Sequence, residues 1–364
     1  MKITFFLIAF CLVFLRVYFS WSGYYGSDTN TSTITNSDGS NYEQIKYSGE
    51  IKFNDDETAI KSISPGGYLK YRRNDQKLVV ESNLDGNMTY KLYDDGKELA
   101  MDNNGKIFIT RVIKEMIANG FDAQNRMNRI YSKGGSAALL DEIDNLRSDN
   151  VKAMYLDRLV SATPLSQDEL AVMLKKIGSF GADIDKVKFL NKFTGSQLKS
   201  PQAIAIYFET IEHIGADIDK LNVLKHLLEG EMISAESLDS ILKITAQLGA
   251  DIDRVDMLKK LVDRKAIVGY RFNKVLDITT NIGSDLDKVT VYQELMEVES
   301  ITEEQWISLI NAAGGLSSDF EKSNLLIRIA KKMPVSDNVK AAYLKTAKAI
   351  SADMEYARAL RAIE

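Results

Sequence analysis

Cysteine and histidine are almost missing from this chain, whose 364 residues include one cysteine and two histidines. Cys11 lies in an N-terminal apolar segment, so the sequence offers neither a disulfide framework nor a thiolate metal site. With only His213 and His226 available, zinc sites and Cys/His nucleophilic pairs are excluded. We therefore expect no catalytic residues, no metal ligands and no cofactor, and we expect that the protein is not an enzyme.

An excess of basic residues is missing as well. The chain has 46 Lys and Arg residues against 51 Asp and Glu residues, which gives a formal net charge of -5. Proteins that bind nucleic acid present basic patches or stripes to the phosphate backbone. The charge balance therefore argues against nucleic acid as the main partner.

The N-terminus carries an apolar run. Residues 3–15 are apolar behind Lys2, and Arg16 interrupts the run before Trp21. This pattern suits a signal peptide, but no Ala-x-Ala cleavage site follows. We prefer an uncleaved anchor in residues 1–21, with a cleaved signal peptide as the alternative. Either reading exports the bulk of the chain, to the periplasm or the extracellular space.

The next two segments differ in composition. Residues 22–46 are rich in Ser, Thr, Asn and Gly, which predicts a flexible tether. Residues 47–104 alternate short β-type runs (50–53, 59–63, 68–72, 77–81 and 89–93) with turn signals such as Asp85-Gly86 and Asp95-Gly96. They predict a small antiparallel β-meander of four to six strands. Residues 105–147 return to helical periodicity and predict a helical bridge.

An aspartate recurs every 34 residues in the C-terminal half of the chain, which marks a stacked-repeat architecture. The seven copies are Asp149, Asp183, Asp217, Asp251, Asp285, Asp319 and Asp353. Four of them lie in a Gly-Ala-Asp-Ile-Asp-Lys motif or a close variant, beginning at Gly181, Gly215, Gly249 and Gly283. We interpret each aspartate as the N-cap of a helix, and each glycine as the left-handed residue that ends the helix before it.

A second helix start follows in each repeat. The predicted N-caps are Ser166, Ser200, Ser234, Thr302 and Ser336, with only Val268 out of line. Apolar residues seven and ten positions after each aspartate form one stripe, which stacked neighbours can bury. The stripe consists of Leu156, Leu190, Leu224, Leu258, Tyr292, Leu326 and Leu360, with Leu159, Phe193, Leu227, Leu261, Leu295, Ile329 and Ile363.

These patterns predict an α+β fold in which the β-meander precedes an α-solenoid of 34-residue helical hairpins in residues 148–364. The hairpins match tetratricopeptide repeats in size but lack the signature residues of that family. The last copy, from Asp353 to Glu364, is expected to form a half-repeat that caps the stack.

Two charged patterns in the repeats have alternative interpretations. The Asp-x-Asp pairs, such as Asp183 with Asp185, suit either a divalent-cation site or an N-cap followed by a carboxylate in the first helical turn; we favour the cap. The Lys or Arg three residues after each aspartate suits either a basic ladder or a solvated helix face, and we favour the solvated face.

The middle of the chain resembles a known family. The resemblance is carried by residues 49–57 (Gly-Glu-Ile-Lys-Phe-Asn-Asp-Asp-Glu), 63–67 (Ile-Ser-Pro-Gly-Gly), 120–127 (Gly-Phe-Asp-Ala-Gln-Asn-Arg-Met), 133–135 (Lys-Gly-Gly) and 148–149 (Ser-Asp). They resemble the exported region associated with BlaR/MecR-type membrane zinc peptidases, which pairs a β-meander with helical repeats. The peptidase motif His-Glu-x-x-His is absent here. The resemblance implies an exported accessory or sensor-like module, and it does not imply proteolysis.

The sequence as a whole predicts a membrane-tethered, exported scaffold that binds another polypeptide through its α-solenoid surface. It contacts the membrane through the N-terminal segment and binds no nucleic acid. The alternatives are a ligand-sensing accessory domain of an envelope signalling system and a carboxylate-dependent hydrolase. No pattern in the sequence identifies the binding residues. A long open surface would favour the scaffold, and an enclosed polar pocket would favour either alternative.

Overall fold

A computed structural model describes residues 32–37, 42–162, 164–230 and 232–364. The predicted anchor or signal peptide in residues 1–21 lies outside these ranges. The described residues form an antiparallel β-sheet region followed by a repeating array of helices, which confirms the predicted fold class. The chain divides into two units. The first contains the described residues up to Lys133 together with Glu142–Met154, and the second contains Gly134–Asp141 and Tyr155–Glu364.

The strands lie in the first unit. They are β1 (Ser32–Ser37), β2 (Tyr42–Ser48), β3 (Ile51–Phe53), β4 (Ile60–Ile63), β5 (Tyr68–Arg73), β6 (Gln76–Ser82), β7 (Met88–Asp94) and β8 (Lys97–Leu99). Six of them form one antiparallel sheet in the order β1-β2-β5-β6-β7-β8, and β3 pairs with β4 in a separate hairpin. The five predicted runs coincide with β3 to β7, whereas β1, β2 and β8 lie outside them.

The prediction of a tether in residues 22–46 is wrong for β1 and for the first residues of β2. Strand β2 pairs with both β1 and β5, and Ile45 is fully buried. The buried Glu43 carboxylate accepts hydrogen bonds from the Tyr71 hydroxyl (3.0 Å) and from the Asn119 amide (3.1 Å). Burial, and then the Glu43 charge, raises the pKa of Tyr71 above its ordinary value. The Ser/Thr/Asn content suits a linker, but the interspersed Thr, Ile and Tyr residues favour strands.

Two helices follow the strands. Helix α1 (Asn103–Ala118) begins at the Asp102 N-cap, and its buried face packs with the sheet residues in one apolar core. Helix α2 (Ala123–Glu142) is interrupted at Gly135, where φ is 64°, a left-handed conformation that favours glycine. A 3-10 turn (Ile143–Asn145) follows. The predicted bridge in residues 105–147 is therefore helical.

The remaining helices alternate between the first and the second helix of each repeat. The first helices are α3 (Asp149–Ala162), α5 (Asp183–Leu190), α7 (Asp217–Leu227), α9 (Asp251–Asp263), α11 (Asp285–Leu295), α13 (Asp319–Ala330) and α15 (Asp353–Arg361). The second helices are α4 (Gln167–Gly178), α6 (Pro201–Glu212), α8 (Ala235–Gln247), α10 (Tyr270–Thr280), α12 (Glu303–Gly314) and α14 (Asp337–Ala347). From α4 onward, first helices contact first helices and second helices contact second helices, which gives two layers.

The local signals for the second helices are confirmed. All five predicted N-cap side chains accept a hydrogen bond from a backbone N–H in the first turn of their helix. Ser166 and Thr302 complete capping boxes, and Pro201 occupies the first helical position. In the repeat that has Val268 at the predicted N-cap position, the N-cap is Gly269, which has a φ of 57° and forms no side-chain hydrogen bond.

The predicted stripe forms the apolar core of the repeats. Its members are buried in every repeat except the last, where Leu360 and Ile363 are half-buried. The fully buried Tyr207 and Tyr343 donate their hydroxyl hydrogen bonds to the backbone oxygens of Leu190 and Ala359. Each pair of neighbouring repeats therefore shares one continuous core, as expected for stacked hairpins.

Candidate protein-interaction surface

The recurring aspartate links neighbouring repeats. It is the first residue of each first helix, after an N-cap that is Ala182, Ala216, Ala250 or an equivalent residue, so the N-cap interpretation is wrong. One carboxylate oxygen instead accepts a backbone N–H from the start of the following repeat. The N–H groups belong to Gly215 for Asp183 (2.8 Å), Gly249 for Asp217 (2.7 Å), Gly283 for Asp251 (2.8 Å), Ser317 and Ser318 for Asp285 (both 2.7 Å), and Ser351 and Ala352 for Asp319 (both 2.9 Å).

The glycines of the motif serve this bond. Gly215, Gly249 and Gly283 do not have positive φ angles, so the prediction of left-handed helix ends is wrong. A Cβ on any of them would lie 3.2 to 3.4 Å from the aspartate oxygen that their N–H contacts. Because glycine has no Cβ, the carboxylate can approach the backbone N–H closely. Ser317 and Ser351 donate the same bond in later repeats, so a small side chain is tolerated there.

In four of these five aspartates, Asp183, Asp217, Asp251 and Asp319, the other oxygen pairs with the cation three residues later. Lys186 lies 2.9 Å from Asp183, and Arg254 lies 2.8 Å from Asp251. Lys186 and Lys322 are buried, so the prediction of a solvated face is wrong at these two positions. Arg254 also donates to the backbone oxygen of Leu248 (2.7 Å). Each pair neutralises a carboxylate that is partly withdrawn from water, which explains why the aspartate and its cation recur together.

The hydrogen bond between each aspartate and the backbone N–H of the next repeat predicts how the stability of the repeats depends on pH. The N–H of Gly215, as the largest cause, holds the pKa of Asp183 below its ordinary value of 3.8, and the N–H of Gly249 does the same for Asp217. A lowered folded-state pKa stabilises the fold above the unfolded-state pKa, and this contribution is lost as the pH falls through the folded-state pKa. We expect the urea midpoint of the helical circular dichroism signal to fall below about pH 4. The urea midpoint of the double variant Asp183→Asn/Asp217→Asn should fall less on acidification. An equal fall in the variant and the parent protein would mean that these two carboxylates do not cause the acid sensitivity.

A second periodic feature lies one residue after the aspartate. At that position, the six repeats from residue 183 onward carry large apolar side chains whose exposed fraction ranges from 54% to 77%. We call these residues the apolar row: Ile184, Ile218, Ile252, Leu286, Phe320 and Met354. Single exposed apolar side chains are common on protein surfaces, whereas these six recur at one position of the repeat.

The apolar row faces away from the core for a geometrical reason. A core residue stands nine positions after each member of the row, as the buried Leu261 does after Ile252. Nine residues turn an α-helix by about 180°, because 3.6 residues complete a turn. The row is therefore opposite to the stripe that stacking buries. Burial in the fold does not account for these apolar side chains.

Removing an apolar side chain from the row should leave the fold intact. We expect Ile218→Ser and Ile252→Ser each to change the free energy of unfolding by no more than about 0.5 kcal/mol. As a control, the smaller change Ile211→Val in the core should cost about 0.5–1.5 kcal/mol. Urea denaturation of the full chain measures both quantities. A larger loss for Ile218→Ser than for Ile211→Val would mean that the row is part of the core.

Residues of the segments 49–57 and 120–127 contact each other in the first unit. The Arg126 side chain is 8% exposed and contacts two carboxylates, Glu57 (2.8 Å) and Glu142 (2.9 Å). Arg129 pairs with Asp122 at 2.9 Å. Phe121 packs against the Tyr47 and Phe53 rings, with centroids 5.0 and 5.4 Å away. These contacts join the β3–β4 hairpin to the turn before α2, so the motif residues have a structural role within this unit.

Two open depressions lie on the second unit. One, of about 310 Å³, is bordered by Ala246, Arg254, Asp277, Ile278 and Asn281. The larger, of about 680 Å³, lies across α11, α13 and α15 and is lined by both acidic and basic side chains. Its exposed Arg328 and Lys331 form no ion pair with another residue in the described part of the chain.

The remaining candidate groups have ordinary surface environments. His213 is exposed and contacts the Glu209 carbonyl oxygen, and the half-buried His226 contacts Glu229. The first aspartate of each Asp-x-Asp pair accepts a backbone N–H from the next repeat, and at Asp183, Asp217 and Asp251 it also pairs with a cation. Within the described ranges, no group of three or more His, Cys, Asp or Glu residues could hold a metal ion.

Among residues 32–37, 42–162, 164–230 and 232–364, no helix combines the length and apolar character that crossing a membrane requires. Comparison of the chain with protein-family models gives no match, and comparison with curated proteins gives none either.

Proposed function

We propose that this protein is an exported, membrane-tethered scaffold whose helical repeats bind another polypeptide through the apolar row. The observation that carries the proposal is the recurrence of an exposed Ile, Leu, Phe or Met opposite the core in six successive repeats. Stacked repeats present extended surfaces, and a partner that spans several repeats gains one apolar contact from each. The membrane tether and the export rest on the sequence of residues 1–21 alone.

Hydrolysis by carboxylates receives less support from the site geometry. A general acid or base needs a carboxyl group that is free to exchange a proton with its substrate. The recurring aspartates accept backbone N–H groups and pair with cations. In the first unit, Glu57 and Glu142 are both held by Arg126. These carboxylates serve the fold.

A sensor for a small anionic ligand is the second candidate. It is favoured by the larger depression, where Arg328 and Lys331 are exposed and, among the described residues, form no ion pair. If this function is correct, a dicarboxylate or phosphate compound should raise the melting temperature of the protein, and Arg328→Gln/Lys331→Gln should abolish the rise. If the scaffold function alone is correct, neither protein should respond.

The test of the scaffold compares two triple variants of the full chain in chemical crosslinking to neighbouring proteins. One variant alters the apolar row (Ile218→Ser, Ile252→Ser, Leu286→Ser), and the control alters three residues four positions further along the same helices (Asn222→Ser, Asp256→Ser, Thr290→Ser). We expect the row variant to lose a crosslinked polypeptide that the control retains. Retention of every crosslinked polypeptide by the row variant would contradict the proposal.

A further inference from the structure

A row of carboxylates accompanies the apolar row. The residue that follows each apolar side chain is acidic and half-buried in all six repeats. We call the first five of these residues the acidic row: Asp185, Asp219, Asp253, Asp287 and Glu321. Across the described part of the chain, their side chains form no hydrogen bond or ion pair with another residue, unlike Glu355, which pairs with Arg358 (2.6 Å). Five successive repeats therefore each offer an apolar side chain beside a carboxylate that, among the described residues, has no partner.

The spacing of the two rows restricts the conformation of an occupant. First helices of successive repeats contact each other, and packed helices lie about 8–10 Å apart. An α-helix advances about 10.5 Å in seven residues, so it presents one side chain per repeat. A β-strand repeats a face about every 6.8 Å and does not match. A polyproline helix advances about 9.3 Å in three residues, but it docks on aromatic-lined grooves, and only Phe320 is aromatic in the row.

The charge of the surface restricts the chemistry of the occupant. A second copy of the chain, docked through the same surface, would place one acidic row against the other, and like charges in contact oppose binding. A membrane that contains anionic lipids would repel the acidic row in the same way. Lysine or arginine side chains would instead satisfy the free carboxylates while the adjacent apolar contacts form.

From these restrictions, and on the basis of the proposed function, we infer that the occupant is a basic amphipathic α-helix of a partner protein. The helix carries an apolar residue at every seventh position and a lysine or arginine beside it. It lies across the first turns of α7, α9 and α11 and their neighbours, where Ile218, Ile252 and Leu286 contact its apolar residues. Asp219, Asp253 and Asp287 receive its cations.

Synthetic peptides test this inference on the full chain. The probe is a peptide of about 28 residues, which spans about 42 Å as a helix, with leucine at every seventh position and lysine beside it. The controls are a shuffled peptide of the same composition, a version with glutamate in place of lysine, a proline-rich peptide, and lipid vesicles with and without anionic lipid. Fluorescence anisotropy measures the peptide affinities, and co-sedimentation measures vesicle binding.

We expect the basic heptad peptide to bind at least about tenfold more tightly than the shuffled and acidic peptides, a difference of about 1.4 kcal/mol. The row variant Ile218→Ser/Ile252→Ser/Leu286→Ser should weaken binding about tenfold. The variant Asp219→Asn/Asp253→Asn/Asp287→Asn should also weaken it and should reduce its dependence on salt. Equal affinity for the shuffled peptide, or row-dependent binding of the proline-rich peptide or of vesicles, would overturn the inference.

The peptide experiment separates this inference from the scaffold function on which it rests. If crosslinking to a cellular polypeptide depends on the apolar row while no peptide binds through the row, the basic helix is the wrong occupant and the scaffold function stands. If neither the crosslink nor any peptide depends on the row, both are wrong.

Discussion

Replacing Asp251 with alanine is expected to lower the free energy of unfolding of the helical repeats by about 1.5–3 kcal/mol, the cost of losing a hydrogen bond to a charged group. The Asp251 carboxylate accepts the N–H of Gly283 at 2.8 Å and pairs with Arg254 at 2.8 Å. Alanine leaves that N–H without its acceptor and the Arg254 side chain, which is 18% exposed, without its carboxylate. The effect should exceed that of losing a surface ion pair.

Urea denaturation followed by helical circular dichroism measures this loss. The matched control is Asp253→Ala, two residues further along the same helix, because in the described chain the Asp253 side chain has no hydrogen-bond or ion-pair partner. We expect the control to stay within about 0.5 kcal/mol of the parent protein. Equal losses for the two variants would mean that general helix electrostatics, and not the link between repeats, explain the recurrence of Asp251.

Arg126→Ala should destabilise the first unit by about 3–5 kcal/mol, because it leaves Glu142 without its cation and leaves Glu57 with only the 3.6 Å contact to Arg129. The guanidinium contacts Glu57 through two nitrogens, at 2.8 and 3.0 Å, and contacts Glu142 through the third. With the arginine removed, Glu57 and Glu142 keep only partial access to water, at 23% and 16% exposure. Strand amides of β5 and β6 should then exchange hydrogen faster.

The control for Arg126 is Arg129→Ala on the same helix. The Arg129 side chain is 44% exposed, pairs with Asp122 at 2.9 Å and lies 3.6 Å from Glu57, which keeps its closer contacts with Arg126, so its loss should cost no more than about 1 kcal/mol. If the two variants accelerate exchange in β5 and β6 equally, the buried contacts of Arg126 do not hold the β3–β4 hairpin in place.

Features set by local chemistry are predictable from the sequence. Ser166 and Thr302 cap helices as expected, because an N-cap depends on the three residues that follow it. The apolar stripe is predictable for the same reason, since helical periodicity alone identifies residues such as Leu224. The five predicted runs of the β-meander follow from alternation and turn residues.

Features set by distant partners are not predictable in this way. The Asp217 carboxylate accepts the N–H of Gly249, which lies 32 residues later in the chain. In the sequence, an aspartate that caps a helix has the same pattern as one that accepts a hydrogen bond from the next repeat. Strand β2 depends on pairing with β1 and β5, which its Ser/Thr/Asn-rich surroundings conceal. The apolar row did have a signal, a large apolar residue recurring with the aspartate at a position opposite the stripe.

The motif Gly-Ala-Asp-Ile-Asp-Lys thus combines two kinds of residue. Its glycine and first aspartate connect neighbouring repeats, and its lysine pairs with that aspartate on the same helix. Its isoleucine is exposed, and its second aspartate lies in the first helical turn and, in the described structure, has no hydrogen-bond or ion-pair partner for its side chain. Both kinds recur at the same period, but we propose that the first kind serves stability and the second kind serves binding. Asp251→Ala should therefore lower the free energy of unfolding and leave partner binding largely unchanged. Ile252→Ser, at the adjacent position, should leave the free energy of unfolding largely unchanged and weaken partner binding.

Site-specific photocrosslinking tests the proposed binding role of the apolar row most directly. A photoreactive amino acid is placed in turn at Ile184, Ile218, Ile252 and Leu286, and, for comparison, at Lys188, Asn222, Asp256 and Thr290. We expect the four row positions to crosslink to one and the same polypeptide, with much lower yields at the four comparison positions. Equal yields at both sets of positions, or a different polypeptide at each row position, would contradict the proposal that the row is a single binding surface.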